Sequence, residues 1–282
     1  MEGINILDEK DIRGRLKPRP KDSHKGTFGR LLIFAGSLGM AGAAILCGKS
    51  ALRSGVGLAQ YAVPKELFPI LQVAVPEATC IERERKTIES LYDAMAIGPG
   101  LGEHRGDGML MKEILQDYLG NLVLDADGLN NILRFSLKTE LQNTGAKTII
   151  TPHPGEAARL LGLEKIIDRE KTVLRLAREL NVIAILKGQH TLIATPQGEV
   201  YQNPTGNSGM ATGGSGDVLT GIIGALLAQD YLPIDAATIA TYVHGRAGDL
   251  CAASLGEIGM TAGDIVSYIP KAFMELMKTM ED

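Results

Sequence analysis

The sequence lacks the features of several common protein classes. No run of about 18 uninterrupted apolar residues is present, which argues against a membrane-spanning helix. Residues 1–15 are mixed in charge and contain no apolar segment, so no signal peptide is visible. The net charge is −4 and the pI is about 5.8, which gives no indication of a nucleic-acid-binding surface. We therefore expect neither a membrane nor a nucleic acid as a partner.

Cysteine is also scarce. The three cysteines, Cys47, Cys80 and Cys251, are far apart in the sequence and lack the spacing of metal ligands. Their odd number and their surroundings are typical of reduced thiols in a cytosolic protein. We therefore expect a cytoplasmic protein.

Several catalytic signatures are missing as well. There is no G-x-x-x-x-G-K-[ST] phosphate-binding loop, and no G-x-G-x-x-G fingerprint follows the first strand-like segment. No serine lies in a G-x-S-x-G turn and no cysteine is paired with a plausible base. Acyl-enzyme chemistry is therefore unsupported.

The most informative stretch is residues 207–224, N-S-G-M-A-T-G-G-S-G-D-V-L-T-G-I-I-G. Six glycines lead up to and into an apolar helical pattern, so backbone N–H groups at the start of the helix can approach an anion closely. Asp217 stands at this junction, where the helix dipole favours an ionised carboxylate. The pattern predicts a carboxylate base beside an anion-binding loop. The sequence leaves open the alternative that Asp217 only caps the helix.

The rest of the chain predicts an α/β fold. Apolar strand-like runs end in polar, glycine-containing turns, and helical patterns follow; the runs are residues 30–34, 94–97, 122–125, 148–150 and 183–186. Ligands of open parallel sheets bind at the carboxyl ends of the strands. We expect a single domain over residues 1–282, with a mostly parallel, doubly wound sheet flanked by helices and residues 1–24 packed on it as an extension.

Polar candidates follow these strands. Asp125 and Asp127 could coordinate Mg²⁺ through water, although Asp127 could equally cap the next helix. Glu156 could cap its own helix or orient a metal-bound water. His153 lies between two prolines and therefore on a rigid loop, and Lys187 either reaches a phosphate or is a surface lysine. A carboxylate base, an anion-binding loop and Mg²⁺ are together the components of phosphoryl transfer.

Known motifs agree with this chemistry. The segment Gly214-Ser-Gly-Asp217 resembles the G-[TAS]-G-D motif of the ribokinase-like superfamily, which supplies an anion hole and a catalytic base. A fuller set resembles one branch, the ADP- or ATP-dependent NAD(P)H-hydrate dehydratases. Its segments are residues 24–29, 35–44, 98–102 (G-P-G-L-G), 124–127 (L-D-A-D), 151–156 (T-P-H-P-G-E), 187–191 and 203–221. One glycine motif is weak, whereas seven segments in this order are specific.

The resemblance implies a repair enzyme with a ribokinase-like fold. Members of the family remove water from hydrated NADH or NADPH, using ADP in most bacteria and ATP in eukaryotes, and so restore the reduced cofactor. AMP or ADP and phosphate are released. The resemblance also implies Mg²⁺, a homotetramer and functional partnership with a separate NAD(P)H-hydrate epimerase. No epimerase-like segment is visible in the sequence, so we expect action on the S form alone.

Carried over by position, the resemblance assigns roles to individual residues. Asp217 is implied to be the catalytic base. Residues implied to contact the hydrated cofactor are Ala43, Gly100, Gly102, His153 and Asp217. Residues implied to hold the nucleotide are Lys187, Gly188, Gln189, His190, Thr191, Gly214, Ser215 and Gly216. The candidate metal ligands stay Asp125, Asp127 and Glu156.

Two other functions stay open at this point. A small-molecule kinase of the same superfamily, acting on a vitamin-precursor alcohol, would share Asp217 and the nucleotide site but leave the phosphate on its product. The loop at His153 and the turn over residues 98–102 weigh against it. A non-catalytic nucleotide sensor would bind ADP without chemistry.

Overall fold

The computed structural model describes residues 3–84 and 91–278. Both ends of the predicted domain, residues 1–2 and 279–282, lie outside these ranges, as do residues 85–90. No helix within the two ranges is both long enough and apolar enough to cross a membrane.

A single sheet of ten strands forms the centre of the fold. In chain order the strands are β1 (Asn5–Ile6), β2 (Arg30–Phe34), β3 (Leu58–Val63), β4 (Thr79–Glu82), β5 (Ala94–Ile97), β6 (Asn121–Leu124), β7 (Lys147–Ile150), β8 (Ile183–Leu186), β9 (Leu192–Ala194) and β10 (Val200–Gln202). Their spatial order is β1-β10-β9-β8-β7-β6-β5-β2-β3-β4. Neighbours run parallel except β8 with β9 and β9 with β10.

Helices cover both faces of the sheet. They are α1 (Glu9–Arg15), α2 (Ala41–Arg53), α3 (Phe68–Ala74), α4 (Arg105–Asp117), α5 (Asp127–Arg134), α6 (Lys138–Asn143), α7 (Pro154–Leu161), α8 (Arg169–Leu180), α9 (Ser215–Ala228), α10 (Pro233–Leu255) and α11 (Ala262–Lys278). Short 3-10 turns occupy Lys25–Phe28, Lys65–Leu67 and Ser208–Met210.

Alternation along the strands divides the core between these faces. In β2, Leu31 and Ile33 join a cluster with α2, α9, α10 and α11. Leu32 and Phe34 point the other way, into a cluster with α4, α5, α7 and α8. Successive side chains of a strand alternate between faces, so a strand buried on both sides must be apolar throughout. The predicted α/β fold, with a mostly parallel, doubly wound sheet flanked by helices, is confirmed.

The direction of strand addition reverses between β2 and β5. From β2 the chain adds β3 and β4 on one side, and from β5 it adds β6, β7 and β8 on the other. Such a switch point leaves a crevice outside the carboxyl ends of the two strands, where open α/β sheets bind ligands. The turns that follow β2 and β5, residues 35–40 and 98–104, border this crevice.

The N-terminal segment lies along the far edge of the sheet. β1 pairs in parallel with β10, and Leu7 and Ile12 are buried. Arg15 in α1 forms an ion pair with Asp235 in α10. The segment therefore contributes to the core of this edge.

Gly98, directly after β5, is a position that requires glycine. Its φ is +128°, and an added Cβ would lie 1.8 Å from the carbonyl oxygen of Asp125. We expect Gly98→Ala to lower the free energy of unfolding by about 3 kcal/mol or more, because backbone rather than a side chain must move. Gly14→Ala in α1 is the control, since a Cβ there meets nothing within 4 Å. Urea unfolding should show that it is neutral or stabilising by up to about 1 kcal/mol. A mild effect of Gly98→Ala would contradict the packing described here.

Candidate active site

The glycine-rich loop places Asp217 inside the first turn of α9. Gly214 is the N-cap, with φ +92°, and Ser215 is the first helical residue. An added Cβ on Gly214 would lie 2.4 Å from Leu46 Cδ1, so the loop packs tightly on α2. No side chain caps the start of α9. Asp217 is therefore not the helix cap. It lies in the first turn of the helix, where the Ser215 N–H donates to the Thr212 carbonyl at 3.3 Å.

A buried ion pair lies beneath this turn. Asp125 follows β6 and is 1% exposed, and its Oδ1 accepts from Lys187 Nζ at 2.6 Å. Its Oδ2 accepts from Thr220 Oγ1 of α9 at 2.8 Å. An added Cβ on Gly216 would lie 3.2 Å from Lys187 Nζ, so the helix start rests directly on the pair. Lys187 is thus no solvated surface lysine, because it faces the anion-binding turn.

The three charged groups influence one another. Burial, the largest single influence, favours the neutral form of Asp125, but the charge of Lys187 and the hydrogen bonds from Lys187, Thr220 and Thr151 together outweigh it and hold the pKa of Asp125 below its usual range. Burial also opposes the charged form of Lys187, yet the carboxylates of Asp125 and Glu156 raise its pKa. For Asp217, burial and then the charge of Asp125 raise the pKa to about 7, with Lys187 opposing. At neutral pH Asp125 and Lys187 are therefore both ionised, while Asp217 is present in both its protonated and its ionised form.

The neighbouring carboxylates Asp125 and Asp127 turn to different partners. Ala126 between them has φ +46°, which a residue with a side chain rarely adopts. Asp127 Oδ2 accepts from the backbone N–H of Gly102 at 2.8 Å. The N-cap of α5 is Ala126, so Asp127 is the first residue of the helix and not its cap. Backbone strain of this kind is found at sites where the surrounding structure fixes the chain.

His153 and Glu156 form the start of α7. His153 Nδ1 accepts from the N–H of Glu156 at 3.4 Å, and Glu156 Oε2 accepts from the N–H of His153 at 2.8 Å. This reciprocal arrangement is a capping box, so Glu156 does cap its own helix. The His153 side chain is 51% exposed and borders the cavity described below.

The candidate metal ligands are engaged with other partners. Asp125, Asp127 and Glu156 each accept hydrogen bonds from protein donors. Across residues 3–84 and 91–278, no group of three or more His, Cys, Asp or Glu residues could hold a metal ion. The three carboxylates therefore do not fit as a set of direct Mg²⁺ ligands.

A cavity of about 710 Å³ opens beside the start of α9. It is lined by seven of the eight predicted nucleotide residues, Lys187, Gly188, Gln189, His190, Thr191, Ser215 and Gly216. Gly214 lies just behind as the N-cap. The loop after β8 is supported by Arg169, which donates to the carbonyls of Gln189 and, at 3.3 Å, Leu186.

The opposite wall of the cavity was not predicted. It is formed by residues 203–208 and by Thr241, His244 and Gly245 of α10. Asn203 Nδ2 donates to the Thr241 carbonyl at 3.0 Å, which fastens this loop to α10. The sequence offered two signals, since residues 203–208 lie within the family-like segment 203–221 and His244 is a polar residue within a largely apolar helix.

His244 faces the start of α9. Its Nε2 lies 3.3 Å from Ser215 Oγ. Burial, with the charge of Lys187, lowers the pKa of His244 to about 4. The imidazole is therefore neutral at physiological pH, so the cavity wall carries a polar group without adding charge.

Three of the predicted substrate residues, Ala43, Gly100 and Gly102, lie at the switch-point crevice, whereas His153 lines the cavity. Gly100 has φ +58°, and an added Cβ would lie 3.0 Å from Ala43 Cβ and 2.7 Å from the Met40 carbonyl oxygen. Ser37 Oγ donates to the Gly100 carbonyl at 3.0 Å, which ties the two turns of the crevice together. Ala43 and Gly100 are thus in contact, and the Gly102 N–H is hydrogen-bonded to Asp127 of α5. Asp217 is near enough to Asp127 for that charge to raise its pKa.

The raised pKa of Asp217 has a consequence for stability. A carboxyl whose pKa is higher in the folded than in the unfolded state binds more protons when folded, so the free energy of unfolding falls as pH rises from about 4 to about 7. Asp217→Asn removes this loss. Urea unfolding should show Asp217→Asn stabilising the protein at pH 8 by roughly 1–3 kcal/mol more than at pH 5.

The control for this experiment is Asp117→Asn, which removes an exposed carboxylate at the end of α4. We expect it to have nearly the same small effect at both pH values. Equal effects of Asp217→Asn at pH 5 and pH 8 would contradict the burial of its charge.

Known proteins resemble this chain in sequence and in fold. A family model described as NAD(P)H-hydrate dehydratase matches residues 31–271. An ADP-dependent (S)-NAD(P)H-hydrate dehydratase of Neisseria meningitidis is 40% identical over 256 residues, which cover 88% of this chain and 86% of the relative. A crystal structure of the ADP/ATP-dependent NAD(P)H-hydrate dehydratase of Bacillus subtilis, co-crystallised with ATP and Mg²⁺, matches with a TM-score of 0.88 and 31% identity. It covers 98% of this chain and 100% of its own.

Longer relatives also match. A bifunctional NAD(P)H-hydrate repair enzyme of Moorella thermoacetica is 40% identical over 289 residues, which cover 95% of this chain and 54% of the relative. The chain therefore spans about half the length of the bifunctional relatives that it matches.

Proposed function

Because the chain belongs to the NAD(P)H-hydrate dehydratase family, we propose that it dehydrates the S form of NADH hydrate and NADPH hydrate with ADP or ATP as phosphate donor. The observation that carries the proposal is the position of Asp217 in the first turn of α9, together with its raised pKa. A pKa of about 7 suits a general base, and residues Ser215 and Gly216 of the same turn line the cavity. The activity is thus a lyase reaction driven by nucleotide hydrolysis.

The proposed reaction proceeds in two stages. The ring hydroxyl attacks the terminal phosphorus of the nucleotide, Asp217 takes the hydroxyl proton, and the bond between phosphorus and the AMP or ADP oxygen breaks. Phosphate, a better leaving group than hydroxide, then departs with the electrons of the carbon–oxygen bond. Loss of a neighbouring ring proton restores the double bond of NADH or NADPH. The net change is removal of water from the hydrate and its addition to the nucleotide.

The residues around the cavity supply the charge stabilisation that this transfer needs. Lys187 has three N–H donors, and the pair with Asp125 leaves donors that can reach a phosphate. Gly216 lines the cavity and has no side chain, and the dipole of α9 favours an anion at this end of the helix. The neutral His244 and the loop at 187–191 would hold the rest of the nucleotide.

Mg²⁺ belongs to the proposal as a companion of the nucleotide. Its chemistry is to neutralise charge on the phosphates. The Bacillus subtilis relative was co-crystallised with ATP and Mg²⁺. Since Asp125, Asp127 and Glu156 are engaged with protein donors, we assign the ion to the phosphates and its waters, and no direct protein ligand is proposed.

Three further properties are proposed from the family resemblance. They are a homotetramer, a cytoplasmic location and a functional partnership with an NAD(P)H-hydrate epimerase. The partnership is supported by relatives that are named bifunctional NAD(P)H-hydrate repair enzymes and that this chain matches over about half their length. An epimerase would convert the R form into the S form that this site accepts.

Recovery of reduced-nicotinamide absorbance tests the proposal. Purified S-form NADH hydrate with Mg²⁺ and either ADP or ATP should regain the absorbance of NADH, with one phosphate released for each NADH formed. Asp217→Asn should slow recovery by about 10²–10⁴-fold, because it removes the general base. ADP binding, measured by calorimetry, should persist in the variant, and Asp117→Asn should behave as the wild type.

Other outcomes identify the alternatives. Phosphate retained on the nicotinamide product, without recovery of absorbance, would indicate a kinase. Tight ADP binding with an equally inert wild type and Asp217→Asn would indicate a sensor. Either result would refute the dehydratase.

A further inference from the structure

The turn that carries Gly102 is held by two side chains of α5. The Gly102 N–H donates to Asp127 Oδ2 at 2.8 Å, and the Gly102 carbonyl accepts from Asn131 Nδ2 at 3.1 Å. Asp127 and Asn131 are four residues apart and therefore lie on one face of the helix. Both hydrogen-bonding groups of the Gly102 backbone are thus taken by one helical turn, which we call the Gly102 clamp.

The clamp is braced from a second helix. Asn130 Nδ2 donates to Asp127 Oδ1 at 3.3 Å, and Arg159 Nη2 of α7 donates to Asn130 Oδ1 at 3.0 Å. The first turn of α7 is the one that His153 caps. The chain of bonds therefore connects the Gly102 turn to the helix that carries another predicted substrate residue.

Asn131 shows that the clamp is maintained at a cost. Its side chain is fully buried, and its Oδ1 has no hydrogen-bond partner in the part of the chain that the structure describes. A buried unpaired acceptor is costly. Rotating the amide would not relieve this, because Oδ1 would then face the Gly102 carbonyl oxygen. The bond to Gly102 fixes the orientation, so an apolar residue could not replace Asn131 without freeing the turn.

The turn itself needs such restraint. Gly98, Gly100 and Gly102 have φ values of +128°, +58° and +78°. Glycine adopts such angles freely and loses the most conformational freedom on folding, so the turn has little intrinsic rigidity. A site that receives a reacting ring must nevertheless be held to a fraction of an ångström.

We propose that Asp127 and Asn131 are positioning residues that hold the Gly102 turn in the shape that receives the hydrated nicotinamide cofactor. Asp127 thus acts on the substrate side through hydrogen bonding and does not act by ligating Mg²⁺. The proposal rests on the proposed function, because that function makes the Gly102 turn a substrate contact. Asp125 and Asp127, separated by one strained alanine, then serve the nucleotide and the substrate respectively.

Four variants test the clamp: Asp127→Ala, Asp127→Asn, Asn131→Ala and, as control, Asn143→Ala. The Asn143 amide donates to the Thr139 carbonyl within α6 at 2.9 Å. Either alanine variant of the clamp should raise the KM for hydrate and the Kd for NADPH, read from NADPH fluorescence, by about tenfold. The Kd for ADP, from calorimetry, should change by less than about twofold. Asp127→Asn should recover most of the lost affinity, because its amide oxygen accepts the same bond from Gly102.

Amide hydrogen exchange supplies a readout that needs no substrate. The Gly102 N–H should exchange at least about tenfold faster in Asp127→Ala than in the wild type, and Asn143→Ala should leave it unchanged. If Asn131→Ala does not fold, the comparison of the two Asp127 variants still decides the question.

Three results would overturn the positioning role. One is an equal loss of ADP and NADPH binding in Asp127→Ala. Another is an Asp127→Asn variant as impaired as Asp127→Ala that needs more Mg²⁺ for half-maximal rate, which would make Asp127 a metal ligand. The third is an active wild type whose variants bind both ligands normally, which refutes only the clamp. A wild type that restores no NADH refutes the proposed function instead.

Discussion

The buried pair of Asp125 and Lys187 is the interaction on which the site depends. It joins the carboxyl ends of β6 and β8 across β7, and Thr220 adds α9 to the same carboxylate. Neither charge is stable at this depth without the other. The pair therefore fixes the first turn of α9 against the sheet edge, and Gly216 lets the helix start come close to it. Stability and the proposed phosphate binding share one set of bonds.

The pair also sets the charge that Asp217 experiences. Lys187 and Asp125 together are nearly neutral, so burial dominates and both protonation states of Asp217 are accessible near pH 7. A base that takes a proton from a hydroxyl and later returns it to solvent needs that balance. The neutral His244 on the facing wall leaves the balance undisturbed. The surroundings of the cavity, of Asp217 and of the glycine-rich turn thus suit their proposed roles, as their residue types do.

Local patterns explain how much of this was predictable. The strands, their glycine-containing turns and the loop that ends at Asp217 are each formed by contiguous residues, so the fold and the glycine-rich start of α9 could be predicted from the sequence. The hydrogen-bond partners of the site's side chains could not be predicted in this way, because they depend on tertiary packing. Lys187 donates to a carboxylate 62 residues away, and His244 lines the cavity although its helix has the pattern of one that only covers the sheet. Nothing in the composition marks Ala126 for a positive φ. The sequence therefore identified Asp125 and Asp127 as candidates by their positions. It did not indicate that Asp125 would serve the nucleotide and Asp127 the substrate.

The dependence of kcat/KM for the hydrate on pH tests the central claim most directly. If the carboxyl of Asp217 is the base and its burial raises the pKa to about 7, the rate should climb with pH through an apparent pKa near 7 and then level off. Only the ionised form can take the hydroxyl proton. A rate that stays flat from about pH 5 to 9, or that falls through this range, would contradict the account.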